Sequence, residues 1–201
     1  MTAFTPSLQA DTFGQSFNAA YVGQTLGNGP FTLGWSFNVT STITVDELAV
    51  YHVNGAALLE SHQVGIWDAA GNLLVSAFVP AGPCDNELDQ MGFQEWCSVA
   101  ASPTVLNPGT YTIGATWNSL LDPMIFPGQV GNFNGPNVVL IQNQYIAGGF
   151  ADPTNTTGDV NSYFGPNFEF GATTVPEPGT LAMLGTGVLG LAGVLRRKIN
   201  L

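Results

Sequence analysis

Leu33-Gly34-Trp35-Ser36-Phe37-Asn38-Val39 alternates large apolar residues with small or polar ones without a break. On an extended chain successive side chains point to opposite faces, so Leu33, Trp35, Phe37 and Val39 share one face and Gly34, Ser36 and Asn38 the other. Thr110 to Trp117 repeats the pattern, with Tyr111, Ile113, Ala115 and Trp117 against Thr110, Thr112, Gly114 and Thr116. Both segments read as strands with one buried face. Working outward, the same period of two predicts strands near 14–20, 43–53, 62–68, 72–79, 95–100, 137–146 and 161–170. Before residue 180 no stretch sustains apolar spacing of three and four over three helical turns.

The punctuation fits. Asp68-Ala69-Ala70-Gly71-Asn72 lies between two apolar runs and reads as a hairpin loop in which Gly71 takes positive φ. Asn107-Pro108-Gly109 is a turn that launches the strand at Thr110. Nine short strands without helices call for two packed sheets, which hide strand edges. The expected fold class is all-β: a jelly-roll-like antiparallel β-sandwich over residues 1–172, followed by a short C-terminal transmembrane helix.

Charge is distributed one-sidedly. The chain has 201 residues, with 14 Asp and Glu against 3 Lys and Arg. All the carboxylates fall between Asp11 and Glu177, and all the basic side chains are Arg196, Arg197 and Lys198. An acidic body without a single cationic side chain repels nucleic acid and anionic lipid, which excludes both as partners. Neutral polysaccharide, divalent cations and cationic surfaces remain compatible with it.

Cys84 and Cys97 are the only cysteines, close together in a segment expected outside the cytoplasm, and they predict a disulfide. The loop between them carries Asp85, Glu87 and Asp89 at alternate positions. Such oxygens suit Ca²⁺, while acidic loops are commonly just solvated; both readings stay open, and no other cofactor is expected.

Catalytic signatures are missing. There is no Gly-x-Ser-x-Gly elbow, His-Glu-x-x-His helix, phosphate loop or dinucleotide fingerprint. His52 and His62 are expected on neighbouring strands, where they could face one another with Asp68 or Glu60 orienting a ring. Without a third ligand or a nucleophile they read as sheet residues, so no enzyme is expected. Trp35 and Trp117 read as core, whereas Trp67 and Trp96 are left open as sugar-stacking candidates.

The C-terminus is organised differently. Val175-Pro176-Glu177-Pro178-Gly179, within a linker at 173–179, precedes an apolar span at 180–195 and a basic tail at 196–201. The prolines forbid helix at the membrane edge and leave Glu177 on extended, protease-accessible chain. Arg196, Arg197 and Lys198 behind the span keep that end in the cytoplasm and everything before residue 180 outside. Sixteen helical residues reach only about 24 Å, short of a hydrocarbon core of about 30 Å. With Leu181, Leu184 and Leu195 separated by Gly187 and Gly190, the span suits transient handling better than permanent anchoring.

Motif, span and basic tail together resemble the PEP-CTERM sorting signal of Gram-negative bacteria. The resemblance implies that an exosortase reads the segment, that the precursor occupies the inner membrane transiently, and that the product reaches the cell surface or medium. Met1 to Ala10 has neither a basic start nor an apolar core, so the secretory leader this tail requires is missing here. The start was then placed too far downstream, or the chain is trimmed.

A second resemblance covers Leu33 to Trp117. Leu33-Gly34-Trp35-Ser36-Phe37, Ile43-Thr44-Val45, Ser61-His62-Gln63-Val64-Gly65-Ile66-Trp67-Asp68, Gly71-Asn72-Leu73-Leu74 and Gly109-Thr110-Tyr111-Thr112-Ile113-Gly114-Ala115 look like a sandwich domain of unknown function found ahead of PEP-CTERM tails. Its motifs are structural. The expected function is a surface-destined structural or matrix protein of the envelope or of extracellular polysaccharide. A carbohydrate-binding module is the alternative from another class, and a glycoside-active hydrolase is the third.

Overall fold

The computed structural model describes residues 12–17, 29–52, 56–84, 86–88, 92, 95–119, 121–124, 132–156 and 165–171. Thirteen strands occur among them: β1 Thr12–Phe13, β2 Gln15–Phe17, β3 Phe31–Val39, β4 Ile43–His52, β5 His62–Asp68, β6 Leu73–Val79, β7 Asn86–Leu88, β8 Glu95–Leu106, β9 Gly109–Trp117, β10 Asn132–Asn134, β11 Val138–Ala147, β12 Asn155–Thr156 and β13 Pro166–Gly171. One sheet runs β1-β13-β4-β8-β7, a second runs β12-β11-β3-β9-β5-β6, and β10 pairs with β2. Every pairing is antiparallel. The expected all-β chain of two antiparallel sheets is what forms. Among the described residues no helix is long and apolar enough to cross a membrane, and the span expected at 180–195 lies outside them.

The two large sheets meet through aromatic rings. Trp35 and Phe37 of β3 pack on Phe168 of β13, with ring centroids 5.7 and 5.0 Å apart. The Trp35 indole N–H donates to the Pro166 carbonyl at 2.8 Å, so the polar edge of the ring is satisfied inside the core. Leu33, Trp35, Phe37 and Val39 are all buried, as their alternation requires.

The opposite face of the second sheet departs from the expected pattern. Thr32, Gly34 and Ser36 are buried as well, and residues 149–153 lie against Thr32, Gly65 and Gly114 of that face. Thr32 Oγ1 donates to the Gly149 carbonyl at 2.9 Å, and the Phe150 ring sits 5.0 Å from Trp67. Gly34, Gly114 and Gly65 are paired in register across β3, β9 and β5. Three neighbouring residues without side chains leave a trough in the pleat. A Cβ on Gly65 would stand 2.7 Å from the Phe150 ring, and one on Gly114 would stand 3.0 Å from Pro153. The trough is thus what admits the crossing segment.

Strand ends differ from the expected ones for local reasons. Of the strand predicted at 14–20, β2 forms at Gln15–Phe17, and Gly14, where a Cβ would stand 2.6 Å from the Phe168 ring, separates it from an unforeseen β1; residues 18–20 lie outside the described part. β8 runs six residues past the expected end at 100. Its pairing with β4 jumps from Glu47↔Ala100 to Val45↔Thr104, so Ala101, Ser102 and Pro103 bulge out opposite Asp46. Proline in a bulge forfeits no ladder hydrogen bond, which is how the strand survives it. The hairpin at 68–72 forms as read, with Gly71 at φ 81° and its N–H donating to the Asp68 carbonyl at 3.0 Å.

Candidate functional site

The two histidines do not face one another. His52 ends β4 in the first sheet and His62 begins β5 in the second, and each has its own partners. The expectation of neighbouring strands fails because the chain changes sheet between them, which a period-two pattern cannot register.

His62 lies fully buried beside Trp117, with ring centroids 4.8 Å apart. Its Nδ1 meets the Thr116 carbonyl at 2.5 Å and its Nε2 meets Asp122 Oδ2 at 3.1 Å. Asp122 also accepts the Leu59 N–H at 2.8 Å and the Glu60 N–H at 2.8 Å. Burial pushes the Asp122 carboxyl up, but hydrogen bonds from His62, Leu59 and Glu60, with the His62 charge, leave it below its usual value. Glu60 Oε2 in turn accepts the N–H groups of Asn118 and Ser119 at 3.1 and 2.8 Å.

Glu60, His62 and Asp122 bring ligand atoms within 4.8 Å of one another. Their contacts are those of a staple, since the two acids take up backbone N–H groups from both segments and join residues 58–62 to 118–122. Asp68 or Glu60 is the expected orienting group for a histidine ring, and the carboxylate hydrogen-bonded to His62 is that of Asp122. Asp122 was missed, because its loop carries no periodic signal and the pair lies sixty residues apart.

Around His52 the chemistry is different. His52 and Glu95 are directly opposite in the β4–β8 register, and Val50 is opposite Cys97 two residues along. A disulfide joins Cys84 and Cys97, whose Cα atoms are 5.5 Å apart. Closing this loop stabilises the fold by about 3 kcal/mol in the chain-entropy account. The pairing Asn86↔Cys97 of β7 with β8 brings Cys84 to its partner. Nothing in the three residues of β7 announces a strand, so this element was missed. A cleft of about 320 Å³ opens beside the disulfide, lined by Val79, Pro80, Pro83, Cys84, Ser98 and Val99.

Of the proposed Ca²⁺ ligands, Asp85 and Asp89 lie outside the described residues, and only the backbone of Glu87 is described, opposite Trp96. Trp67 and Trp96, left open in the sequence, are buried together with Trp35 and Trp117, so all four tryptophans are packed inside. The sorting residues Val175 to Gly179, the span and the basic tail fall outside the described part.

Residues 174–198 match the PEP-CTERM protein-sorting motif. The match takes in the Pro-Glu-Pro element, the apolar span and the basic cluster. Such a motif implies exosortase-dependent sorting of a membrane-passing precursor to the surface. No curated protein matches the chain.

Proposed function

We propose that a chain bearing a PEP-CTERM sorting motif at 174–198 delivers its β-sandwich to the cell surface as a structural component, associated with the envelope or extracellular polysaccharide and doing no chemistry itself. The sorting motif is the observation that carries this reading. Support also comes from the sandwich, where the histidine nearest two carboxylates holds loops together and all four tryptophans are packed inside, away from any sugar. Burial of the tryptophans weighs against the carbohydrate-binding alternative, whose stacking faces must be exposed. Loop carboxylates and buried staples add solubility and rigidity, which a matrix protein needs.

The experiment is a sorting assay. The chain, fused behind a secretory leader, is expressed in a host with an exosortase, and surface, medium and inner-membrane fractions are compared. Replacing Pro176, Glu177 and Pro178 by alanine should move the protein from the surface fractions to the inner membrane. Unchanged surface display of that variant would overturn the reading.

A further inference from the structure

Four electron-rich groups converge at the open end of the β4–β8 pair. A ring nitrogen of His52 and the sulfurs of Cys84 and Cys97 all lie within 4.8 Å of one another, and Glu95 Oε2 stands 3.9 Å from His52 Nε2. His52 is 2 % exposed. Its Nδ1 faces the Ala56 carbonyl at 3.2 Å, and a carbonyl only accepts, so Nδ1 bears the hydrogen and Nε2 keeps its lone pair. Neither Nε2 nor Glu95 Oε2 has a hydrogen-bond partner among the described residues. Two buried acceptors therefore face each other with no donor between them, and the His52 ring stands beside the two sulfurs.

A ring tied through one N–H to a backbone carbonyl, with its other nitrogen free, is the arrangement metal-binding histidines use. Two cysteines, one histidine and one carboxylate make a donor set suited to Zn²⁺, with Zn–S near 2.3 Å and Zn–N near 2.0–2.1 Å. In a tetrahedron of those bond lengths the ligand atoms are about 3.3–3.8 Å apart, within the spread seen here. The cleft along Pro83 and Cys84 gives reductant and ion a way in.

We propose that the Cys84–Cys97 disulfide is the oxidised state of a zinc site, and that on reduction Cys84, Cys97 and His52 bind one Zn²⁺ with Glu95 as the fourth ligand. The reductant is a thiol of the small-molecule or dithiol-protein class. Two thiol groups give up two electrons and form their own disulfide, and their two protons pass to the Cys84 and Cys97 sulfurs as the S–S bond breaks. Zinc then displaces both protons to solvent, so metal binding releases two protons per ion. In the reverse exchange a disulfide of the same thiol class takes up two electrons and two protons and leaves as two thiols, while the Cys84–Cys97 bond re-forms and Zn²⁺ is released. The site is thus either covalently closed or metal-closed, and the loop stays stapled in both conditions.

The test uses the full-length chain, reduced with a phosphine, freed of reductant under anaerobic conditions and titrated with Co²⁺ as a spectroscopic stand-in. One equivalent should produce a thiolate-to-cobalt charge-transfer band and the intense visible bands of tetrahedral cobalt, and Zn²⁺ should abolish both. The oxidised chain should give neither. X-ray absorption of the zinc-loaded wild type should show two sulfurs and an imidazole, which needs no variant to fold. His52→Gln should lose the imidazole scattering and weaken binding at least about tenfold, since loss of even an outer partner costs about 10–100-fold. Cys84→Ser should lose one sulfur. A reduced wild type without the charge-transfer band, a zinc spectrum lacking imidazole, or equal metal binding by the oxidised chain would overturn the proposal.

Discussion

Asp122 shows what a single carboxylate does in a body without lysine or arginine. It meets Nε2 of the buried His62 and ties off the Leu59 and Glu60 N–H groups. Removing one member of a buried pair strands the other, at a cost of about 3–5 kcal/mol. Asp122→Ala should therefore destabilise by about that amount in denaturant melts. Asp122→Asn keeps an acceptor for the two N–H groups and can donate to a neutral His62, so it should cost clearly less. The lowered carboxyl makes a contribution that is present above the usual carboxylate range and lost as pH falls through the folded value. His52 acts at higher pH. Its folded value lies below the ordinary 6.5, so below that pH the unfolded chain binds more protons and stability falls as the solution is acidified. Melting temperature followed from pH 7 downward should decline first in this window, and His52→Gln should flatten that part of the curve.

At the scale of elements, the row Gly34–Gly114–Gly65 decides whether the segment at 149–153 can lie on the sheet. A Cβ on Gly34 would stand only 1.9 Å from the Ile113 carbonyl oxygen, which is backbone and cannot yield. On Gly65 it would meet the tips of Phe150 and Leu73, which can turn aside. Gly34→Ala should thus cost about 3 kcal/mol or more and Gly65→Ala about 1 kcal/mol, in order of which neighbour can move. Thermal melts of the two variants check the ranking. These glycines also mark where the sequence stopped being readable. Alternation in 33–39 and 110–117 assigned the right face to the core, because burial there follows from the period alone. The second burial of Thr32 and Ser36 depends on a segment more than a hundred residues away, and no local pattern encodes that. β7 is three residues long and the β8 bulge contains a proline, so both escaped a reading based on runs. The Cys84–Cys97 bond was legible because only two cysteines exist. His62–Asp122 was hidden, since any of fourteen acids could have been the partner.

Over the whole molecule, charge and sorting are two consequences of one distribution. Residues up to 177 hold every carboxylate and no lysine or arginine, so the folded body repels itself and gains from screening. Raising NaCl from low concentration to about one Debye length of 3 Å, near 1 M, should increase its melting temperature, and a curve insensitive to salt would contradict the electrostatic account. The basic residues are reserved for 196–198, within the segment that matches the sorting motif. The most direct test of the central claim is the intact mass of the protein, exported behind a secretory leader, from a host with and without its exosortase. The account predicts a product lacking the residues after about Pro178 only where the exosortase is present. A surface product that keeps Arg196, Arg197 and Lys198 in that host would contradict it.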